Sequence, residues 1–218
     1  MKKLLAVLLL VSSSAFAWDQ RPNFPVDACK VHSPYGFAQT KKAATPLCRE
    51  GYLSAWDSTA KIPVYVAYTL TPANAIGCFP RTNAFVADKN APGSSVPDDY
   101  AGTGYDKGHM APAADFNCTT DMLKQTFSYL NCALQNQYLN RGVWKLLEAY
   151  ERELAKSDSV NVKIIVVFDK NSVVLPSGAH VPSGFYKIIT LTKANKIIKY
   201  YFPNEKPTKK TFDEYKIN

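Results

Sequence analysis

"GFYKIITLTKANKIIKYYFP", residues 184–203, decides the class of fold. Two runs rich in β-branched and aromatic residues, 184–192 and 196–203, flank the short connection Lys193-Ala194-Asn195. So short a link reverses the chain at once, and the two runs are expected to pair as an antiparallel hairpin. "VKIIVVFD" (162–169) and "KIPVYVAYTL" (61–70) have the same character and read as strands, and "RTNAFVAD" (81–88) reads as a shorter one. The clearest helix is "NRGVWKLLEAYERELAKS" (140–157), with Val143, Leu147, Tyr150 and Leu154 on one stripe and Asn140 as its N-cap. "TTDMLKQTFSYL" (119–130) has a second helical onset, and the Pro, Gly, Ser and Asp of 89–104 read as a loop. The expectation is an α+β chain: a mixed α/β single domain whose central antiparallel sheet is flanked by helices.

The chain opens with "MKKLLAVLLLVSSSAFA", a basic start, an apolar run from Leu4 to Val11 and a small-x-small end at Ala15-Phe16-Ala17. That order is a secretory signal peptide over 1–17, and its apolar run is too short to span a bilayer. The expected product is one exported domain, 18–218, periplasmic or secreted, with 18–50 as an irregular lead-in. Without Lys2 and Lys3, 24 bases face 18 acids, an excess of +6. That excess favours anionic partners such as nucleic acid or phospholipid. Export also favours disulfides. Cys29, Cys48, Cys78, Cys118 and Cys132 allow at most two, and Cys29 with Cys48 and Cys118 with Cys132 are the nearest pairs in sequence.

Chemistry concentrates in "YDKGHMAPAADF" (105–116), where Asp106, Lys107, Gly108 and His109 are consecutive. Arg81 lies upstream, and Asn131, Gln135, Asn140 and Glu148 lie downstream. On one helix, Asn140 and Glu148 are separated by about 80° beyond two turns and a rise of roughly 12 Å. One small ion fits that spacing if Asn140 binds it directly and Glu148 reaches it through water, an arrangement suited to Mg²⁺. Each residue alone has an ordinary explanation. Asn140 is a helix cap, Glu148 a solvated helix acid, His109 a turn histidine, Arg81 a surface arginine and Asn131 a helix terminator.

Taken together, "GTGYDKGHMAPAADF" and "NCALQNQYLNRGVWKLLE" resemble the DNA/RNA non-specific endonuclease family. Its motif Asp-Arg-Gly-His-x-x-Pro meets His109 and Pro112. Its Asn-x-x-Pro-Gln meets Asn131 and Gln135, and its Asn-x-Gly-x-Trp-x-x-Leu-Glu meets Asn140 through Glu148. "KIPVYVAYTL", "RTNAFVAD" and "VPSGFYKIIT" are similar to three further elements of that family. The resemblance covers roughly 50–200. Lys107 replaces the usual Arg, Leu134 the usual Pro and Tyr65 a common Trp; the lysine keeps the charge but not the bidentate fork.

The resemblance implies a ββα-metal core with His109 at a strand end, and an endonuclease that hydrolyses phosphodiesters of DNA and RNA to 5′-phosphorylated products; the signal peptide adds the expectation that it is exported. His109 would be the general base and Asn140 the direct ligand of Mg²⁺ (or Mn²⁺ or another divalent ion), with Glu148 acting through water. Arg81 would contact the scissile phosphate, Asn131 would hold the loop or a water network, and Lys107 would add positive potential. Nothing in the chain looks like a base-reading element, so binding is expected through backbone phosphates with little sequence specificity. Monomer and homodimer both stay open. The alternatives are a catalytically impaired nucleic-acid-binding protein of the same fold, motivated by Lys107 and Leu134, and a disulfide-tied envelope protein with a basic face.

Overall fold

The computed structural model describes residues 18–19, 23–34, 36, 44–73, 79–80, 85–170 and 172–218. The expected signal peptide and the expected phosphate contact, Arg81, lie outside the described residues. In chain order the strands are β1 (Trp18–Asp19), β2 (Thr45–Cys48), β3 (Tyr52–Asp57), β4 (Ile62–Leu70), β5 (Ala87–Asp88), β6 (Tyr105–His109), β7 (Cys132–Asn136), β8 (Val160–Val167), β9 (Gly184–Leu191), β10 (Lys196–Pro203) and β11 (Lys216–Ile217). The helices are α1 (Thr120–Thr126), α2 (Gln137–Leu139) and α3 (Lys145–Ala155), with a wide turn, Asn140–Trp144, between the last two.

Seven strands form one sheet in the order β11-β10-β9-β8-β4-β3-β2, antiparallel throughout. The hairpin read from 184–203 is present, with its reversal at Asn195 in the left-handed region (φ 46°). The central join is β4 on β8, where Tyr65 pairs with Ile165. Several short strands escaped the sequence reading, β2, β3 and β7 among them. β2 lies inside the lead-in, and β3 is buried at every position, so it shows no polar–apolar alternation. Of the strand expected over 81–88, residues 81–84 lie outside the described residues; Ala87–Asp88 form β5, and Val86 makes a single bridge to Ser128.

The core lies between the sheet and the α2–α3 helix. Leu139, Val143, Trp144, Leu147 and Ala155 meet Val66, Tyr68, Ile164, Phe185 and Phe202. The buried stripe of α3 is Leu147, Glu151 and Ala155, led in by Trp144. Of the expected 143/147/150/154 stripe, Val143 and Leu147 are in the core, whereas in its second half the buried positions shift by one residue to Glu151 and Ala155, and Tyr150 and Leu154 only border the core. Part of the opposite sheet face is covered by the lead-in. A short 3₁₀ turn (Val26–Val31) is fastened by the disulfide Cys29–Cys48, and Cys29 and Cys48 pack with Leu53, Val64 and Tyr65. Cys118 and Cys132 are not joined to each other. Beside this disulfide, fully buried Arg49 is ion-paired with Asp88, whose carboxylate also accepts from Ser128 Oγ at 3.0 Å. That pair ties the lead-in to the segment preceding the candidate site.

Candidate active site

The site begins with a two-stranded antiparallel ribbon, β6 on β7, in which His109 pairs with Cys132 and Lys107 with Leu134. Gly108 is dictated by packing: a Cβ there would lie 2.6 Å from Cβ of the fully buried Gln135. His109 ends β6, 8% exposed, with its ring 4.7 Å from that of Phe85 and 4.8 Å from that of Phe127, centroid to centroid. Aromatic walls on two sides restrict the orientation of the imidazole.

Asn131 stands behind this histidine and does not line the cleft. Its Oδ1 accepts from Ala111 N (2.8 Å), and its Nδ2 donates to Ala111 O (2.8 Å) and Thr126 O (3.0 Å). Its carbonyl accepts from Met110 N at 3.0 Å. Completely buried, Asn131 therefore fastens the chain just after His109 to the end of α1.

The helix bearing Asn140 starts earlier than expected. Asn136 is its cap, with Oδ1 accepting from Tyr138 N (3.0 Å) and Leu139 N (3.4 Å). Asn140 already has helical angles (φ −57°, ψ −47°) and is not an N-cap. Gly142 (φ −103°, ψ −118°) then breaks the helical path inside a π-type turn. Such turns re-aim side chains at functional sites. Here Asn140 and Glu148 reach one cleft of about 400 Å³, shared with Lys107, His109, Pro112, Arg141, Lys145 and Arg152.

Asp106 orients the Asn140 amide. Its Oδ2 accepts from Asn140 Nδ2 at 2.9 Å, while Arg141 donates to both carboxylate oxygens, at 2.8 and 2.6 Å. With its nitrogen committed to Asp106, the amide turns its oxygen the other way. Burial opposes charge on Asp106, but the hydrogen bonds from Arg141 and Asn140 prevail and hold its pKa below the usual carboxylate range.

Glu148 is half-buried on the cleft floor. Burial pushes its pKa up to about 7; Lys187 and Arg152 oppose this, and the charge of Glu151 adds to it. Beneath it, Lys187 Nζ lies 2.9 Å from Glu151 Oε1 and 4.3 Å from the centroid of the Trp144 ring. Tyr68 donates to Glu151 Oε2 at 2.8 Å. Arg152 donates to Asp115 Oδ1 at 2.7 Å, yet burial, aided by the charge of Glu151, lifts Asp115 to about 8. Three acids and two bases thus share the floor, leaving one negative charge when all are ionised. Among the described residues, no three His, Cys, Asp or Glu side chains cluster to hold a metal. The donors present, one amide oxygen and one carboxylate, fit a hard, largely hydrated cation, whose charge would favour the ionised form of Glu148.

His109, Lys107, Asn140 and Glu148 are therefore brought together, Asn131 supports them from behind, and Arg81 is outside the described residues. Sequence reasoning missed the roles of Asp106, Asp115, Glu151, Arg152 and Lys187. Glu151 left a trace, an acid on a helix stripe otherwise occupied by Trp144, Leu147 and Ala155. The two departures at the heart of the motif, Lys107 and Leu134, are cross-strand partners. Lys107 Nζ sits 5.9 Å from the Phe85 ring centroid and 5.8 Å from that of Tyr129, and Leu134 packs with Tyr129. They form one local change.

The family model of DNA/RNA non-specific endonucleases matches residues 31–218. The chain belongs to that family. Among its relatives, a "Nuclease" of Nostoc sp. is 28% identical over 85% of this chain and 73% of its own length. The mitochondrial nuclease EXOG of Xenopus laevis is 34% identical over 56% of this chain. Human mitochondrial endonuclease G is 27% identical over 78% of this chain. The matched region spans only 34% of the frog protein and 61% of the human one. A crystal structure of an EndoG/EndoGI complex superimposes with a TM-score of 0.78 over 88% of this chain and 86% of that one, at 24% identity. That likeness establishes the mixed α/β fold with its large antiparallel sheet.

Proposed function

We propose that this protein is an exported, divalent-metal-dependent endonuclease acting on DNA and RNA with little sequence preference. The observation carrying the reading is the convergence of His109, Asn140 and Glu148 on one cleft, with the Asn140 amide oriented by Asp106. His109 is the general base that takes the proton of the attacking water; an imidazole has the right basicity near neutrality. Its walls, Phe85 and Phe127, hold the ring in place. Asn140, directly, and Glu148, through water, would hold Mg²⁺ or a similar ion. When bound, that ion offsets the charge developing on the phosphate and the departing 3′ oxygen, leaving a 5′-phosphate. Lys107 and Lys145 line the cleft and attract the phosphate backbone, and Arg81 is assigned the scissile phosphate by family resemblance. The Cys29–Cys48 disulfide supports the export reading.

The test is digestion of supercoiled plasmid and of RNA by the 18–218 protein in a Mg²⁺ titration. EDTA abolishes cleavage, and His109→Ala lowers it by about 10²–10⁴. Full activity in His109→Ala refutes the assignment of the base.

A further inference from the structure

The active-site cleft lies on the α3 side of the sheet, where Phe185, Lys187 and Ile189 of β9 point. The alternate residues of β8, β9 and β10 face the other way; among the described residues the lead-in covers β2–β4 on that side and reaches the outer row of β8, where Asn161 Nδ2 donates to His32 O at 2.8 Å and Ile165 borders the Cys29–Cys48 cluster. From that border across β9 and β10, which the described lead-in leaves open, the ladder sets side chains in rows. Ile165, Tyr186 and Tyr201 are successive cross-strand partners, and so are Lys163, Ile188 and Lys199. Tyr186 is 38% exposed and Tyr201 half-buried, with ring centroids 4.8 Å apart and a 44° tilt. Lys199 is exposed, and Lys163 is half-buried with its pKa lowered by burial. The surface continues into a hollow of about 210 Å³ whose lining includes Tyr201, Pro203, Glu205, Lys209 and Lys216.

We propose that this reverse face is a second nucleic-acid surface. It takes single-stranded DNA or RNA, with bases against the Tyr186–Tyr201 pair and phosphates on Lys163 and Lys199. The proposal rests on the nuclease reading only for the identity of the polymer; the surface chemistry is independent of the cleft. Adjacent aromatics on an open antiparallel sheet can stack unpaired bases, whose faces a duplex keeps occupied. Charge complementarity decides against a second copy of the chain, because two such faces brought together would oppose lysine to lysine. The acids near this face, Asp169 and Glu205, lie toward the Tyr201 hydroxyl, at one end of the rows.

Binding of a fluorescent twelve-nucleotide oligothymidylate in EDTA, followed by anisotropy, tests the proposal. Tyr186→Ala/Tyr201→Ala should weaken binding by about tenfold or more, since each stacked base contributes substantially. Lys163→Ala/Lys199→Ala should flatten the slope of log affinity against log salt by about 1.4, roughly 0.7 per phosphate contact on a single strand. Both variants should nick supercoiled plasmid at the wild-type rate with Mg²⁺, which also shows that they fold. Unchanged oligothymidylate affinity and salt slope in both variants overturns the proposal. So does a sedimenting dimer that Ile197→Glu dissociates without loss of oligothymidylate binding. If the wild type nicks nothing under any divalent ion, the nuclease reading falls, and the anisotropy arms still decide the reverse face.

Discussion

Replacing Lys187 by methionine removes the cation from a pair that is wholly out of water. Both side chains of the Lys187–Glu151 pair are 0% exposed, and after the substitution Glu151 keeps only the Tyr68 hydroxyl at 2.8 Å. Methionine fills most of the lysine volume, so the cost comes from the stranded carboxylate and not from a cavity. Breaking a buried pair on one side typically costs about 3–5 kcal/mol. For a chain of this length, each kcal/mol moves the melting temperature by about 2–4 °C, so a fall of roughly 6–20 °C is expected. The double variant Lys187→Met/Glu151→Leu removes both charges and should recover most of the loss, because a hydrophobic replacement of a buried pair is often neutral or stabilising. The assay is thermal and urea unfolding of wild type, both single variants and the double variant as a cycle. A melting temperature within about 2 °C of wild type for Lys187→Met would mean that the pair contributes less than about 1 kcal/mol and would refute the argument.

The metal-free protein should lose stability as pH rises from about 5 to 9. Glu148 and Asp115 have folded-state pKa values raised to about 7 and 8, so the fold retains protons that the unfolded chain has released. Their contribution is complete below the ordinary carboxylate range and lost as pH passes through the raised values; a melting temperature in EDTA that stays flat or climbs across this window contradicts the assignment. Gly108→Ala should cost about 1–3 kcal/mol by driving a methyl group into Gln135, and Gln135→Ala in the same protein should restore part of it; unfolding of the single and double variants measures both. Reducing Cys29–Cys48, 19 residues apart, should cost about 3 kcal/mol, read as a lower urea midpoint in dithiothreitol, and an unmoved midpoint argues against the constraint. Lys107→Arg should lower KM for plasmid through the bidentate phosphate fork without altering the metal requirement, and an unchanged KM would show that the lysine does not limit substrate binding.

The strands that announced themselves, β4, β8, β9 and β10, are long and rich in Ile, Val and Tyr. β2, β3 and β7 are short, and β3 is buried on both faces, so no period of two survives in its sequence. Asn140 was legible as a site residue but misplaced as a cap, because a second asparagine at 136 sits one turn earlier and the wide turn lies between it and the regular helix. His109, Asn140 and Glu148 were legible through spacing and family likeness together. The floor beneath them was not. Glu151 meets Lys187 from β9 and Tyr68 from β4, and Asp115 meets Arg152 from α3, partners 36, 83 and 37 residues apart. No local pattern encodes those meetings. They become visible only once the sheet has brought distant strands under one helix.

The sheet's central join, β4 on β8, pairs residues about 100 positions apart, Tyr65 with Ile165. Strands β2–β4 therefore wait, unable to complete their ladder, until residues beyond 160 have emerged. The face on which α3 rests, with Lys187 and Phe185, comes later still in the chain. Long-range pairing of this kind is slow to close. An N-terminal fragment ending between α3 and β8 has Asn140 and Glu148 in its sequence but lacks Lys187 and Phe185, and with them the strands that complete the floor beneath the helix. The order of the strands thus acts as a timer, keeping the cleft unassembled until the chain is nearly whole.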